Sequence, residues 1–371
     1  MNKRFLMAAM ILSGTIIGAG VFSLPYVFRE IGFLWGIFYL AFFTAVYFAV
    51  HVMYASTIEA RDGNHQFFYY AREYLRRPFG DIAAWVILIE LLLVLAVYLM
   101  LVPVFAPLVF GGGGIMALLV FWLLGSVFMF ARLELVGWAE FLGALGIILI
   151  VAVLFVAGFL KGGAFATAPG LKLNIFALLL PFGPILFSLS GRPAIGKVVE
   201  EHRKAGVEGK PFSLKKSIFW GTAIPSAIYL IFIFSVLRLN PAITPETLNG
   251  LNFLPMPLLL ILGLMGLITL WTSYFMVAIN VKDILVVDLG WRKLIAGGLV
   301  AAVPLGLYFA GVQNFLSAVS FTGGIFLALE GIFVTMMWRG AFPAHRLRRL
   351  TPVFYLVFLV AIAHEVAKLI V

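Results

Sequence analysis

The sequence predicts an all-α integral membrane protein: eleven transmembrane helices in a five-plus-five inverted repeat, with broken helices 1 and 6 and one additional C-terminal helix. Three observations carry this. Of 371 residues, 63% are AVILMFWYC and only 11% are charged, against roughly 25% charged in soluble domains. The Lys and Arg residues fall almost entirely on one side of the predicted membrane. Two apolar stretches, five spans apart, are interrupted by Gly and Pro. Mean hydropathy is +1.11. No strand-type alternation is present, which excludes a β-barrel.

A span needs about 20 mostly apolar residues. Eleven stretches qualify: 4–28, 32–57, 82–108, 113–131, 136–160, 173–200, 216–238, 254–280, 294–310, 313–338 and 352–370. Loop charges justify them in order. With the N-terminus inside, the inside segments hold Lys3 and Arg4; Arg61, Arg72, Arg76 and Arg77; and Arg132. They continue with Arg192, Lys197, Arg203, Lys204, Lys210, Lys215 and Lys216; Lys282, Arg292 and Lys293; and Arg339, Arg346, Arg348 and Arg349. That is 21 inside, against 5 outside (Arg29, Lys161, Lys172, Arg238 and Lys368). The asymmetry predicts a cytoplasmic N-terminus and an extracytoplasmic C-terminus in a cell membrane. A missed span would scramble it. Lys3-Arg4 before an apolar run has the outline of a signal peptide, and it is expected to be retained as span 1.

The formal net charge of +10 suggests nucleic acid in a soluble protein. In a membrane protein it orients helices, so no nucleic-acid partner is expected. The absence of Cys removes disulfides and thiolate chemistry. No H-E-x-x-H, acid–His metal cluster or Gly-x-Ser-x-Gly elbow occurs, so the chain is read as no enzyme, with no cofactor. Gly191-x-x-x-x-Gly196-Lys197 imitates a phosphate loop, but Val198 stands where Ser or Thr would bind Mg²⁺.

Span 1 carries Ser13-Gly14-Thr15-Ile16-Ile17-Gly18-Ala19-Gly20-Val21-Phe22-Ser23-Leu24-Pro25. Span 6 carries Pro181-Phe182-Gly183-Pro184, then Phe187-Ser188-Leu189-Ser190-Gly191-Arg192-Pro193. Both are poor continuous helices. Gly14-x-x-x-Gly18 alone also suits close helix packing. Paired interruptions in two oppositely directed halves point instead to a transporter site. The halves are residues 1–160 and 161–338, with 339–371 supplying the eleventh helix. Segment 58–81 reads as an amphipathic interfacial helix around residues 66–77. The segment at 239–253 is the longest external loop.

The 14–25 stretch resembles the span 1 signature of the amino acid–polyamine–organocation superfamily. The eleven spans and the Thr272-Ser273-Tyr274-Phe275 … Lys282-Asp283 stretch are most similar to its amino acid/auxin and aromatic amino acid permease branches. The resemblance implies the LeuT-type fold, and it departs at Gly191-Arg192-Pro193, where relatives often place an acidic, aromatic or His residue after the Gly. It also implies an aromatic gate at Phe187, which is otherwise one of 37 Phe.

Unwound backbone offers free N–H groups near Ala19 and Gly20 for a carboxylate. It offers free carbonyls near Ile16 and around Phe187 and Ser190 for an ammonium. The expected substrate site is Thr15, Ile16, Gly18, Ala19, Gly20, Phe187, Ser188, Ser190 and Gly191, with Tyr98 of span 3. A branched side chain at Gly20 is expected to block it. Thr269, Thr272 and Ser273 share one face of span 8. In sodium-coupled relatives this face meets span 1 carbonyls, here Gly14 and Ile17, so the five residues form an expected Na⁺ site. The alternative is back-bonding of these hydroxyls to their own helix. Span 5 has no Lys between Trp138 and Leu160 to replace the ion. Glu90 and Glu330 are the deepest carboxylates, roughly 12 Å from their nearer ends. They are either proton carriers or partly hydrated structural groups. Glu140 is read as structural, and His364-Glu365 of span 11 as lying outside the repeat core, near the outer interface. Lys197, Glu200 and Glu201 are read as an inner gate or charged interface.

The function expected is a monomeric symporter in the lipid bilayer, moving a small neutral amino acid with Na⁺ or H⁺. The rival is a channel or passive pore, which would show a filter loop or charged ring. A metal-ion transporter of this kind would want an acidic residue in the span 1 break and a Met in the span 6 break, and neither is present.

Overall fold

The structure is a computed structural model. It describes residues 3–370 apart from 62, 64, 113, 131–132, 162–174, 240–242, 247–250 and 252–253, and it excludes the side chains of 133–142, 144, 161 and 175. Glu140 and most of the 239–253 loop therefore lie outside the described residues. In chain order the helices are α1 (Lys3–Ile16), α2 (Leu24–Ile31), α3 (Phe33–Glu59), α4 (Phe67–Tyr74), α5 (Phe79–Phe110), α6 (Gly114–Phe128), α7 (Leu133–Lys161), α8 (Ile175–Leu179), α9 (Phe182–Leu189), α10 (Arg192–Val207), α11 (Leu214–Leu239), α12 (Met256–Asp283), α13 (Lys293–Phe309), α14 (Phe315–Phe321), α15 (Ala328–Ala341) and α16 (Thr351–Ile370). Among the described residues there is no strand.

Six helical stretches are long and apolar enough to cross a membrane unaided: α3, α5, α11, α12 with its π-turn, α14 to α15, and α16 with the turn before it. Two bent pairs reach that length jointly, and α6, the 145–160 part of α7, and α13 are apolar but shorter. The chain is a multi-pass membrane protein.

Both bends sit at the expected interruptions. In span 1, α1 gives way to a 3-10 turn over Ala19–Ser23, and the axis turns by 48°. Gly18 is extended there (φ −147°, ψ −162°). Pro25 then opens α2, where its missing N–H costs nothing. In span 6 the axis turns by 41° between α9 and α10. Ser190 is extended (φ −64°, ψ 125°), and Pro193 lies in the first turn of α10.

Close packing between helices rests on small residues, because lipid offers no hydrophobic drive for helices to associate. On α7, Gly143 and Gly146 leave room for α12: a Cβ at either would stand 2.4 Å from the hydroxyl of Thr272 or Thr269. Where α9 crosses span 10, Gly183 meets Gly323 backbone to backbone; a Cβ on Gly183 would lie 2.4 Å from the Ser320 carbonyl oxygen. A π-turn over Thr322–Leu327 carries Gly323 at this crossing. α4 forms where the amphipathic helix was expected, but it is not merely interfacial. Phe67, Phe68, Tyr70 and Ala71 are buried, and α4 packs on α5 and α15.

The Gly183 crossing generates a stability prediction. Gly183→Ala should destabilise the protein by about 3 kcal/mol, the upper end for overpacking, because backbone cannot yield as a side chain does. Gly196→Ala, at a helical position with nothing within 4 Å, should be neutral or stabilising by about 0.5–1 kcal/mol. Thermal unfolding in detergent reads both, and equal midpoints would contradict the crossing.

Candidate functional site

A break in mid-membrane strands N–H and C=O groups, and hydrocarbon cannot solvate them. Neighbouring helices answer through hydroxyls. Tyr229 of α11 sets its hydroxyl 2.6 Å from the Ile16 carbonyl oxygen and 2.9 Å from that of Ser188. One phenol carries one proton, so the two broken spans share a single donor. Tyr47 of α3 donates to the Leu186 carbonyl at 2.8 Å. Pro225 of α11 lacks the N–H that would meet the carbonyl of Gly221, and Ser13 of α1 donates to that oxygen at 3.1 Å.

A cavity of about 120 Å³ lies on the Lys197 side of the breaks. Its walls are Gly14, Thr15 and Ile17 of span 1, Leu91 and Tyr98 of α5, and Gly143 of α7. Pro193, Ala194 and Lys197 of α10 and Thr272, Ser273, Met276, Val277 and Asn280 of α12 complete them. It is well below the roughly 300–1,000 Å³ of drug-sized sites, so it suits a small solute. Among the described residues of this lining, Lys197 is the one charged side chain, and no carboxylate contributes.

The expected substrate residues divide. Thr15 and Tyr98 line the cavity, and the Tyr98 hydroxyl pairs with the Ser273 side chain. Gly18 borders them: a Cβ there would sit 3.3 Å from the Tyr98 hydroxyl. Ala19, Gly20, Phe187, Ser188, Ser190 and Gly191 do not line it. Four corrections follow. The Ile16 carbonyl is not free, because Tyr229 holds it. Gly20 faces the other broken span, not open space: a Cβ would meet Ser188 Cα at 2.8 Å and Phe187 Cδ1 at 2.9 Å. The Ser188 hydroxyl turns back to the Pro184 carbonyl at 2.7 Å. Gly191 is a contact between breaks, since a Cβ would lie 2.7 Å from Ile16 Cγ1.

The expected Na⁺ ligands divide as well. Gly14, Ile17, Thr272 and Ser273 meet at the cavity. Thr269 does not join them. Its hydroxyl donates to the Gly143 carbonyl at 3.1 Å, one turn further along the α7-facing side of α12 that Thr272 shares. The Thr272 hydroxyl back-bonds to the Thr269 carbonyl at 2.9 Å, as the alternative held.

Glu90 and Glu330 correct the partly hydrated reading. They are 2% and 1% exposed, and Arg192 between them is 5% exposed. Arg192 Nε donates to Glu330, and its Nη2 lies 3.9 Å from Glu90. The Phe67 ring faces the guanidinium at 5.0 Å, so α4 closes the site that α5, α10 and α15 form. Glu90 Oε2 has no hydrogen-bond partner among the described residues. One cation thus faces two carboxylates.

Further out, Arg4 donates to Glu201 at 2.6 Å and to Glu208 at 2.7 Å. Lys204 pairs with Glu200 at 2.6 Å. The charged interface expected at Glu200 and Glu201 therefore ties the start of α1 to α10. His364 and Glu365 are buried on α16, where Glu365 packs against Gly324 and pairs with Lys368 at 3.0 Å.

Sequence reasoning did not single out Tyr229, Tyr47, Ser13 or Arg192 as partners. A signal existed for Ser13, since Pro225 announces an orphan carbonyl at Gly221. It existed for Arg192 too, because a lone intramembrane cation demands an anion and only Glu90 and Glu330 lie deep enough.

A family model described as "Transmembrane amino acid transporter protein" matches residues 1–236. No curated protein matches. Among solved structures, MhsT in complex with L-phenylalanine is similar at a TM-score of 0.66 and 13% identity, covering 98% of each chain. A manganese transporter of Eremococcus coleocola, in complex with an aromatic bis-isothiourea substituted compound, gives 0.63 and 11%, covering 98% of this chain and 85% of that one. Mhp1 in an inward-facing conformation gives 0.61 and 14%, covering 98% and 89%. These likenesses establish the fold.

The buried triad predicts a specific response. Arg192→Gln leaves two carboxylates without their cation and should cost about 3–5 kcal/mol. Adding Glu90→Gln and Glu330→Gln removes the stranded charges and should recover most of that loss. Unfolding midpoints of the three proteins measure it, and additive losses would deny the coupling.

Proposed function

The chain belongs to the transmembrane amino acid transporter protein family, and from this premise we propose a secondary active symporter that carries a small neutral amino acid across the plasma membrane by alternating access. The cavity beside the span 1 break carries this reading: it joins broken backbone to the Tyr98 and Ser273 hydroxyls, with no carboxylate among the described residues of its lining. A zwitterion needs donors at one end and acceptors at the other. The first N–H groups after Gly18, in the 3-10 turn continuous with α2, supply donors. The carbonyls of Ile16 and Ser188, held by the Tyr229 hydroxyl outside the cavity lining, would supply acceptors once that hydroxyl gave way, because an ammonium brings three protons where Tyr229 has one. Phe187, packed against Gly20, and Ser190, extended at the span 6 break, are the residues assigned to a gate.

Eleven spans, N-terminus in and C-terminus out, form the working unit as a monomer. Residues 1–160 and 161–338 are the inverted halves, and 339–371 is the added helix. The packing supports this: exchanging each span for the one five away turns one contact into another. α1 on α11 answers to α9 and α10 on α3; α7 on α11 answers to α15 on α3; α7 on α12 answers to α15 on α5; α5 on α13 answers to α12 on α6.

For coupling, Na⁺ would sit among the Gly14 and Ile17 carbonyls and the Thr272 and Ser273 hydroxyls. One observation favours a second reading, H⁺: Glu90, Arg192 and Glu330 are one positive charge short of neutrality, and a proton on either carboxyl supplies it.

Uptake of each of the twenty amino acids into proteoliposomes, with Na⁺ and pH gradients imposed separately, tests these readings. Na⁺-driven uptake of one or a few neutral amino acids is expected. Thr272→Ala with Ser273→Ala should weaken Na⁺ and substrate binding by a similar factor, since linkage is reciprocal. Uptake driven by a pH gradient without Na⁺, and lost in Glu90→Gln and Glu330→Gln, would establish the proton reading instead. Gly18→Val should abolish substrate binding in a folded protein, because its methyls intrude between the break and Tyr98. Unchanged affinity would place the substrate elsewhere.

A further inference from the structure

Where α15 ends and α16 begins, the chain forms a cleft of about 780 Å³ lined by Arg339, His345, Arg346, Arg348 and Arg349, with Pro343 at its floor. Residues 331–364 contain no Asp or Glu, and among the described residues no carboxylate pairs with these arginines. Orientation of the helices accounts for positive charge at this end. It does not account for a cleft that gathers five basic side chains, nor for the way one of them is fixed. Arg348 Nη1 donates to the Pro343 carbonyl at 3.0 Å. Its Nε is buried with no hydrogen-bond partner among the described residues. The Thr351 hydroxyl donates to the Arg348 carbonyl at 2.8 Å, holding the turn that carries it.

The surroundings say what kind of anion fits. Leu347, between Arg346 and Arg348, and Leu350, just after Arg349, are 54% and 53% exposed, and Val353 and Leu356 continue the apolar strip along α16. The Trp338 ring lies 5.0 Å from that of His345, and Arg339 lies over Tyr355 at 5.9 Å. Aromatic side chains with cations at their polar ends mark the headgroup level of a bilayer. A cationic cleft directly above lipid-facing leucines matches a molecule with an anionic phosphate and two acyl chains.

We propose that this cleft binds the phosphate of an anionic phospholipid, with Arg346, Arg348 and Arg349 as its donors and the acyl chains lying along Leu350 and Val353. The lipid is a second ligand of the protein, separate from the transport cavity. Its binding weakens as salt rises, since the attraction is largely electrostatic at an exposed site.

Native mass spectrometry of the full chain in detergent, titrated with phosphatidylglycerol or phosphatidylcholine, tests this. The wild type should retain phosphatidylglycerol selectively. Arg348→Gln with Arg349→Gln should weaken that binding by about 30-fold, whereas Lys at both positions should keep most of it. Arg292→Gln with Lys293→Gln removes the same charge from another basic surface and should have little effect. If Arg348→Gln with Arg349→Gln does not fold, Arg346→Gln with Arg349→Gln, both exposed, carries the test. Equal retention of both lipids, or equal loss in the Arg292 and Lys293 control, overturns the proposal. Inorganic phosphate that displaces phosphatidylglycerol as well as lipid does would make this a free-anion site and overturn the lipid assignment.

Discussion

The rest of the structure depends on one constraint: backbone broken inside a membrane must find hydrogen-bond partners within the protein. The two interrupted spans meet it jointly. The Tyr229 hydroxyl sits between the carbonyls of Ile16 and Ser188, so a side chain from a third helix joins them. Gly20 against Ser188 and Gly191 against Ile16 bring the breaks close enough for one phenol to reach both. Without those glycines the two orphan carbonyls would be too far apart to share it.

This sharing leaves the two carbonyls with a single side-chain proton between them. A fully satisfied break would be inert, and an unsatisfied one would not survive in hydrocarbon. One proton between two acceptors is an intermediate condition, and a ligand richer in donors can improve on it. The charged groups follow the same logic at greater cost. Arg192 is buried because Glu90 and Glu330 are buried with it, and the Phe67 ring of α4 excludes the water that would otherwise screen them.

Much of this was legible in the residues. Interruptions at 14–25 and 181–193 announce themselves through Gly and Pro, whose backbone effects are local. The amphipathic face of 66–77 is likewise a matter of spacing. What was not legible depends on the third dimension. Thr269 and Thr272 share a face by spacing and both meet Gly143 of α7, yet only Thr272 borders the cavity, because where the cavity ends along that face is set by the neighbouring helices. Glu90 and Glu330 read as open to partial hydration from their distance to a helix end, since distance along the chain says nothing of the helix packed over that end. Gly20 reads as open and is packed, whereas Gly18, two residues away, borders Tyr98. Rotation about a broken axis decides which glycine looks inward, and no periodicity survives a break to predict it.

The Ser13 hydroxyl on the Gly221 carbonyl has a further consequence. Pro225 made that oxygen permanently needy, and the donor it found belongs to α1, a helix on the far side of a bend. α11 and α1 are thus fastened by a bond that neither helix can replace from its own backbone. Any arrangement in which α1 swings outward must surrender the carbonyl to water or to another hydroxyl. A net hydrogen bond of about 1 kcal/mol corresponds to roughly a fivefold ratio of populations. That single serine therefore sets part of how tightly α1 is held against α11, adjustable by one oxygen atom without touching the cavity.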